Sequence, residues 1–380
     1  MMITQAYKIC TNCVMDTSSP DISFDKNGVC NYCFSYLNKI RNNFNIRVKN
    51  LELEKIIKKI KSHSLKKKKK YDCLIGISGG LDSSYLVYYV VEKLGLKPLL
   101  FHVDAGWNSS ISANNIEKLV DKLNLDLITK VINWNDMRDL HLAYFKSGVP
   151  SLDTIQDHAF FGAMYKYVEE NNFKFILTGA NFATEFIRAP LDWAYHASDT
   201  KQIKDIHNKF GERQIKFFPY YDIFRSRIYL RILKGVKMYH PLNYINYDKK
   251  NSIKTLKEKF GWQEYVQKHH ESRFTAFFEN YWSLKRFGHD RRKLSYSAMI
   301  LSGQMKREEA LNKIKEEPIS NLELKKEISF VCNKLDISKS EFEEFFNLRK
   351  KSFRDYKSNY FIINFFTKVL NTLNIEKRIF

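Results

Sequence analysis

The chain of 380 residues lacks several features that would fix its class at once. Its start, MMITQAYKIC, has no apolar core segment and no small-residue cleavage site, so no secretory signal is read there. Its most apolar late stretch, YFIINFFTKVL (360–370), is too short to span a bilayer and contains Lys368. No membrane association is expected, and the place of work is expected to be the cytoplasm. No internal repeat is visible. Cysteines are few, six in all, and not spread as a disulfide framework would be: Cys10, Cys13, Cys30 and Cys33 crowd the beginning, while Cys73 and Cys332 stand alone. Acidic residues are outnumbered, 42 against 63 Lys and Arg, for a net charge of +21. That excess fits a nucleic-acid partner. It fits equally a basic protein that handles anionic nucleotides and sugar acids. Part of it lies in one run, KKKKK (66–70), of the kind that forms solvated linkers and helix ends, and a nucleic-acid partner is not expected.

The two CxxC pairs, CTNC (10–13) and CNYC (30–33), are separated by the spacing of a zinc ribbon. Four thiolates saturate a tetrahedral Zn²⁺ and leave no open position, which makes such a site structural. An iron–sulfur cluster on the same four residues is the alternative. Cys73 and Cys332 fall in apolar surroundings and do not look like reactive thiols, which disfavours sulfur transfer.

After a helix expected over 49–64, strands and helices alternate. Strands are read at 71–78, 97–104, 126–133 and 173–181, with helices at 83–95, 112–124 and 153–171. That order implies βαβ units and a parallel sheet, with ligands beyond the C-terminal strand ends. From about 250 onward the pattern is helical, with no convincing strand. The expected organisation is a four-cysteine zinc-ribbon module (1–48), a basic helix and linker (49–70), an ATP-binding α/β domain (71–249) and a helical C-terminal domain (250–380).

The first strand ends in SGGLDSS (78–84). Gly79 and Gly80 allow close backbone approach, and Ser78, Ser83 and Ser84 add hydroxyls. A helix N-terminus follows, which favours an anion. The loop has no lysine of its own, unlike the P-loop whose lysine reaches the β- and γ-phosphates. Asp82 is out of place in an anion cradle unless a cation bridges it to phosphate, so Mg²⁺ is expected. An ordinary glycine–serine turn is the plain alternative. The other strand ends offer Asp104 toward a ribose or a metal, Gly179 for close approach, and Glu185 for Mg²⁺ or substrate.

SGGLDSS after a strand resembles the loop of the PP-loop ATP enzymes, which include asparagine synthetase, GMP synthetase and tRNA-modifying ligases. The resemblance implies an adenine nucleotide alpha hydrolase-like, Rossmann-like domain. Its loop holds the leaving pyrophosphate while a substrate oxygen attacks the α-phosphate. The site residues are then Ser78, Gly79, Gly80, Asp82, Ser83, Ser84, Asp104 and Gly179 for ATP, with Asp82, Ser78 and Glu185 catalytic. Farther on, HPLNYINYDK (240–249), KFGWQEYVQKHHESRFTAFFENYW (259–282) and KRFGHDRRKLSYSAMILSGQMKREEAL (285–311) read with the cysteine module as one signature. Together they resemble the bacterial N-acetyl sugar amidotransferases, most of all the pseudaminic acid biosynthesis members that serve flagellin glycosylation. That resemblance implies ATP-driven conversion of the acetamido group of a nonulosonic sugar acid to an acetamidino group. The ammonia would come from a separate glutaminase subunit, since no cysteine nucleophile for that work is seen in this chain. Substrate contacts are expected from His158, Arg273, His289 and Arg291. The competing reading is a tRNA-modifying ligase on the same loop.

Overall fold

In the computed structural model, residues 6–266 and 268–372 are described. The first five residues of the start read for a signal, Gln267, the Lys368 side chain and residues 373–380 of the helical region lie outside them.

Five parallel strands form one sheet: β1 (Cys73–Gly76), β2 (Pro98–Asp104), β3 (Leu127–Val131), β4 (Phe175–Leu177) and β5 (Lys237–Tyr239), in the order β3-β2-β1-β4-β5. The four strands read in the sequence are present. The three-residue β5, which has no sequence signature of its own, pairs Ile176 with Met238 at the far edge. The chain runs outward from β1 to β2 and β3, then returns to the other side of β1 with β4. The strand order therefore reverses between β1 and β4, and a crevice opens beyond their C-terminal ends.

Strand residues alternate between two apolar layers, as the period of two requires. Leu74, Leu99, Phe101, Val103 and Ile176 enter one core, against α5 (Trp134–Ser147), α6 (Thr154–Glu170) and the C-terminal helices. Cys73, Ile75, Leu100, Phe175 and Leu177 enter the other, with α2 (Ile46–Lys66), α3 (Leu81–Tyr88), α4 (Ser110–Leu123) and the helix Lys249–Phe260. The helix expected at 83–95 is α3 continued by a π-helical stretch, Tyr89–Lys93, and stops at Gly95 with φ +60°. Lys66 ends α2, and the rest of the lysine run is an exposed connection.

Beyond Phe260 the chain is helical in most of its described part. Residues 262–266 and 268–273, beyond the division expected at 249/250, pack against the loop and the chain that follows β2. The main-chain N–H of Arg273 donates to the Trp107 carbonyl at 2.9 Å, and Asn108 and Ser272 form an antiparallel bridge. The cysteine module, which includes α1 (Asn31–Lys39), is docked as well. Its core is shared with Phe186, Ile187 and Ala298. The Arg307 guanidinium donates to the carbonyls of Cys10 and Cys13, and buried Asp16 is ion-paired with Lys293. No helix among the described residues is long and apolar enough to cross a membrane.

Candidate active site

The segment after β1 turns through Ser78, Gly79 and Gly80 into α3. Gly79 sits at φ +77°, and a Cβ there would lie 2.5 Å from the Ser112 carbonyl oxygen, so only glycine fits. The Gly79 carbonyl is turned outward and accepts hydrogen bonds from Trp262 Nε1 and Tyr265 OH at 3.1 Å and from Asn115 Nδ2 at 3.3 Å. Gly80 is the residue before α3, and no side chain caps that helix. The first N–H groups of α3 are left for an anion. Ser78 and Ser83 hold the turn: their hydroxyls are 3.1 Å apart, and Ser78 Oγ accepts from the Gly80 N–H. Ser84 is fully buried, with an unpartnered hydroxyl.

Gly179, after β4, lies against the first turn of α3, and a Cβ there would meet the Asp82 carbonyl carbon at 2.7 Å. Its bareness lets the two strand ends close on each other. Asp104, at the end of β2, accepts the Gly106 N–H at 2.8 Å. His102 in β2 bonds the Ile77 carbonyl through Nδ1 and the Asn108 amide through Nε2.

Asp82 has the cation that the loop itself lacks. Lys268 Nζ lies 3.0 Å from Asp82 Oδ2, 2.7 Å from Glu185 Oε1 and 2.9 Å from Thr184 Oγ1. The Tyr247 hydroxyl donates to Asp82 Oδ1. Burial works against the Asp82 charge, but Lys268 and these hydrogen bonds hold its carboxyl below the usual range. Burial likewise opposes the Lys268 charge, and the two carboxylates outweigh it and hold the ammonium above the usual lysine range. Asp82, expected from the sequence to need a cation beside it, is thus partnered by a lysine 186 residues farther along the chain.

Glu271 closes the other side of the cradle. Ser78 Oγ donates to its Oε1 at 3.3 Å, and a Cβ on Gly80 would meet that same oxygen at 2.8 Å. Near it lie further titratable groups within electrostatic reach of one another, His269, Glu279, Arg291 and Asp157. Arg291 Nη1 is 3.5 Å from Glu279 Oε1, and its Nε is buried without a partner. Burial raises the Glu279 carboxyl to about 7 and that of Asp157 to about 6, with Arg291 opposing both. Asp157, in the first turn of α6, keeps an exposed surface although protein crowds around it. His269 is kept neutral, its ring lowered to about 3 by burial with Lys268 beside it.

Of the four residues expected to touch substrate, Arg291 lies among these groups. His158 is 2% exposed, with Nδ1 on the Ala197 carbonyl and Nε2 accepting the Tyr221 N–H, which leaves no ring nitrogen for a ligand. Arg273 is paired with Glu327 at 2.7 Å and lies over the Phe330 ring. His289 stacks on buried Trp193. Lys268, Glu271, Tyr247, Trp262 and Tyr265 were not singled out by sequence reasoning: they lie in the signature stretches 240–249 and 259–282, which as short windows do not show that they face the loop.

The cysteine cluster is separate. All four sulfur atoms lie within 4.8 Å of one another, with Cys10–Cys33 at 3.7 Å and Cys13–Cys30 and Cys30–Cys33 at 3.6 Å. A tetrahedral zinc site with Zn–S of about 2.3 Å has sulfur–sulfur edges of about 3.8 Å, so the cluster fits the ion. Main-chain N–H groups of Asn12, Cys13 and Cys30 point at Cys10 Sγ, stabilising thiolate charge. Cys73 and Cys332 are core residues, 0% and 2% exposed, with thiols raised by burial.

A parallel α/β sheet with an anion-ready loop at its reversal point defines a nucleotide-handling class of fold. Residues 271–370 match the family model described as LPS biosynthesis protein WbpG-like, C-terminal domain; the sheet, the loop and the cysteine module lie outside that match. No curated protein matches the chain. Solved structures similar to it include an NH3-dependent NAD synthetase from Campylobacter jejuni, in complex with nitrate (18% identity, 69% of this chain and 98% of that one, TM-score 0.29). Another is NMN synthetase from Francisella tularensis (16% identity, 61% and 93%, TM-score 0.28). Likeness at that level is too loose to carry a role from either protein to this chain.

Proposed function

We propose that this chain is an ATP-dependent, AMP-forming amidotransferase acting on an N-acetylated bacterial sugar. The observation that carries the reading is the uncapped loop–helix cradle of residues 78–84, with Lys268 at its side. The acetamido oxygen attacks the α-phosphate, the α–β bridging bond breaks, and pyrophosphate leaves from the cradle. Ammonia then attacks the activated carbon, AMP departs with the oxygen, and loss of a proton leaves the amidine. Lys268 offsets the charge that builds on the bridging oxygen, while Asp82 and Glu185 fix the ammonium in place. Arg291 is placed to bind an acidic group of the sugar.

The match of residues 271–370 to a lipopolysaccharide-biosynthesis family supports a glycan sugar. A pseudaminic acid-type substrate is the finer form of the proposal, with ammonia drawn from a separate glutaminase and the work done in the cytoplasm. Zn²⁺ on Cys10, Cys13, Cys30 and Cys33 would be structural.

The test is to follow α-labelled ATP with ammonium and a panel of N-acetylated sugars, including sugar acids and nucleotide-linked forms. Sugar-dependent release of AMP and pyrophosphate, with a product about 1 Da lighter than the sugar, is expected from O to NH exchange. Release of ADP and phosphate would overturn the mechanism. Turnover that needs tRNA in place of sugar would give the chain to the tRNA-modifying ligases.

A further inference from the structure

The lysine run plays no part in the reading above, yet its backbone is fixed. After α2 the N–H groups of Lys67, Lys68 and Lys69 donate to the carbonyls of His63, Leu65 and Ser64 at 3.0, 3.2 and 3.0 Å. Lys68 takes φ +49°, a left-handed conformation uncommon for a residue with a side chain. This turn brings Lys69 and Lys70 to a cavity of about 210 Å³ at the N-terminal ends of β1 and β4, the opposite end of the sheet from the cradle.

The cavity gathers positive charge. Its walls carry Lys69, Lys70 and Lys174 against one carboxylate, Asp72. Lys70 is engaged, with Nζ 3.1 Å from Asp126 Oδ2. Lys174 donates to the Lys234 carbonyl, a neutral acceptor, and among the described residues no carboxylate pairs with Lys174 or Lys69. Asp72 is already occupied, its Oδ2 accepting the Lys97 N–H at 2.7 Å. His63 lines the cavity as well, and burial, with Lys174, Lys67 and Lys69 nearby, holds its ring below the usual histidine range. Like charges drawn together without counterions favour an anion. The same walls carry two aromatic rings, Tyr167 and Phe173, with centroids 6.1 Å apart and planes at 33°.

The geometry points to a second ligand site here, for a small phosphate ester whose ring lies against Tyr167 and Phe173 while its phosphate meets Lys69 and Lys174. An ammonium is a point charge suited to phosphate, whereas planar recognition of a carboxylate takes an arginine fork, and no arginine lines the cavity. Aromatic faces give a ring a surface to cover. Sites for drug-sized ligands run from about 300 to 1,000 Å³, so this smaller one takes a monophosphate and not a dinucleotide. Nucleoside monophosphates and sugar phosphates share that chemistry. The site stands apart from the ATP reading, because the cradle lies at the other ends of the same strands.

The test uses the full chain and pyridoxal 5′-phosphate, which combines a ring, a phosphate and an aldehyde. The aldehyde condenses with a neighbouring lysine amine with loss of water, borohydride reduces the C=N bond, and peptide mass spectrometry locates the label. Lys69 and Lys174 should be labelled ahead of the other exposed lysines. AMP or ribose 5-phosphate should protect them at lower concentration than inorganic phosphate does, and the two arms separate a nucleotide from a sugar source. Lys69→Glu should weaken protection of Lys174 by about ten-fold or more. Lys26→Glu, the same change of charge at an exposed position of the cysteine module, should leave it unaltered. Circular dichroism verifies the fold of both variants. Labelling spread evenly over exposed lysines, or equal losses in the two variants, would overturn the site and leave only general attraction to a basic protein. Protection by oligouridylate and by neither monophosphate would also overturn it, in favour of a nucleic-acid surface. None of these results bears on release of AMP and pyrophosphate from ATP.

Discussion

Lys268 Nζ stands 3.0 Å from Asp82 Oδ2, which joins the middle of the loop to a segment 186 residues farther along the chain. The pair supplies an ammonium to a loop that has no lysine of its own and gives its acid a counterion.

Replacing Lys268 by Met leaves Asp82 and Glu185 facing each other without a counterion. Breaking an enclosed pair by removing one partner costs about 3 kcal/mol. The expected outcome is a lower thermal midpoint and a loss of adenylation of about 10²-fold or more, the scale for one electrostatic stabiliser. Asp82→Asn should lower kcat on the same scale, with folding and zinc content intact. Steady-state kinetics and thermal melts on the two variants check this. Near-normal turnover of the Asn variant would remove Asp82 from the mechanism.

Removal of the metal from the cysteine module should unseat more than the module. Its core includes Phe186 and Ala298, and Phe186 follows directly on Glu185, one of the acids that hold Lys268. Chelation or Cys30→Ser should lower stability by a few kcal/mol and weaken sugar-dependent turnover. Elemental analysis should find one zinc per chain. Iron in place of zinc would contradict the assignment.

The pH dependence of stability should carry the mark of Glu279. Its folded carboxyl is raised from 4.5 to about 7 by burial, so the neutral form is the one the fold favours. Its contribution is fully present below pH 4.5 and is lost as pH rises through about 7. Glu279→Gln should therefore gain stability over wild type at pH 8 and little at pH 4, with the shift setting an upper limit of about 3 kcal/mol. Thermal melts at the two pH values decide it; equal midpoint differences at both would contradict the raised value.

Cys332 lies in the helix Asn321–Leu335, 2% exposed and packed in the core. Cys332→Ser should keep turnover, at a stability cost of about 1 kcal/mol for the hydroxyl it buries. A folded Ser variant without activity would restore a thiol-transfer chemistry.

The sequence by itself determined what is local. The alternation of apolar strands with helices set the parallel sheet. Two CxxC pairs at ribbon spacing set the cysteine cluster, and SGGLDSS after a strand set the cradle, because backbone conformation and short-range spacing are written in neighbouring residues. It also marked Gly179 and Glu185 at a strand end. Only the tertiary structure decided what faces the cradle. Lys268 and Glu271 lie in QEYVQKHHES, part of a signature stretch that by itself does not say what it faces, and main-chain bonds from 271–273 to 107–109 bring it to the loop. In the same way, His158 is expected from the sequence to touch substrate, yet the chain after α6 returns to cover it and takes both ring nitrogens. Pairing between charges far apart in the chain depends on how the layers close, and no short window of residues contains that information.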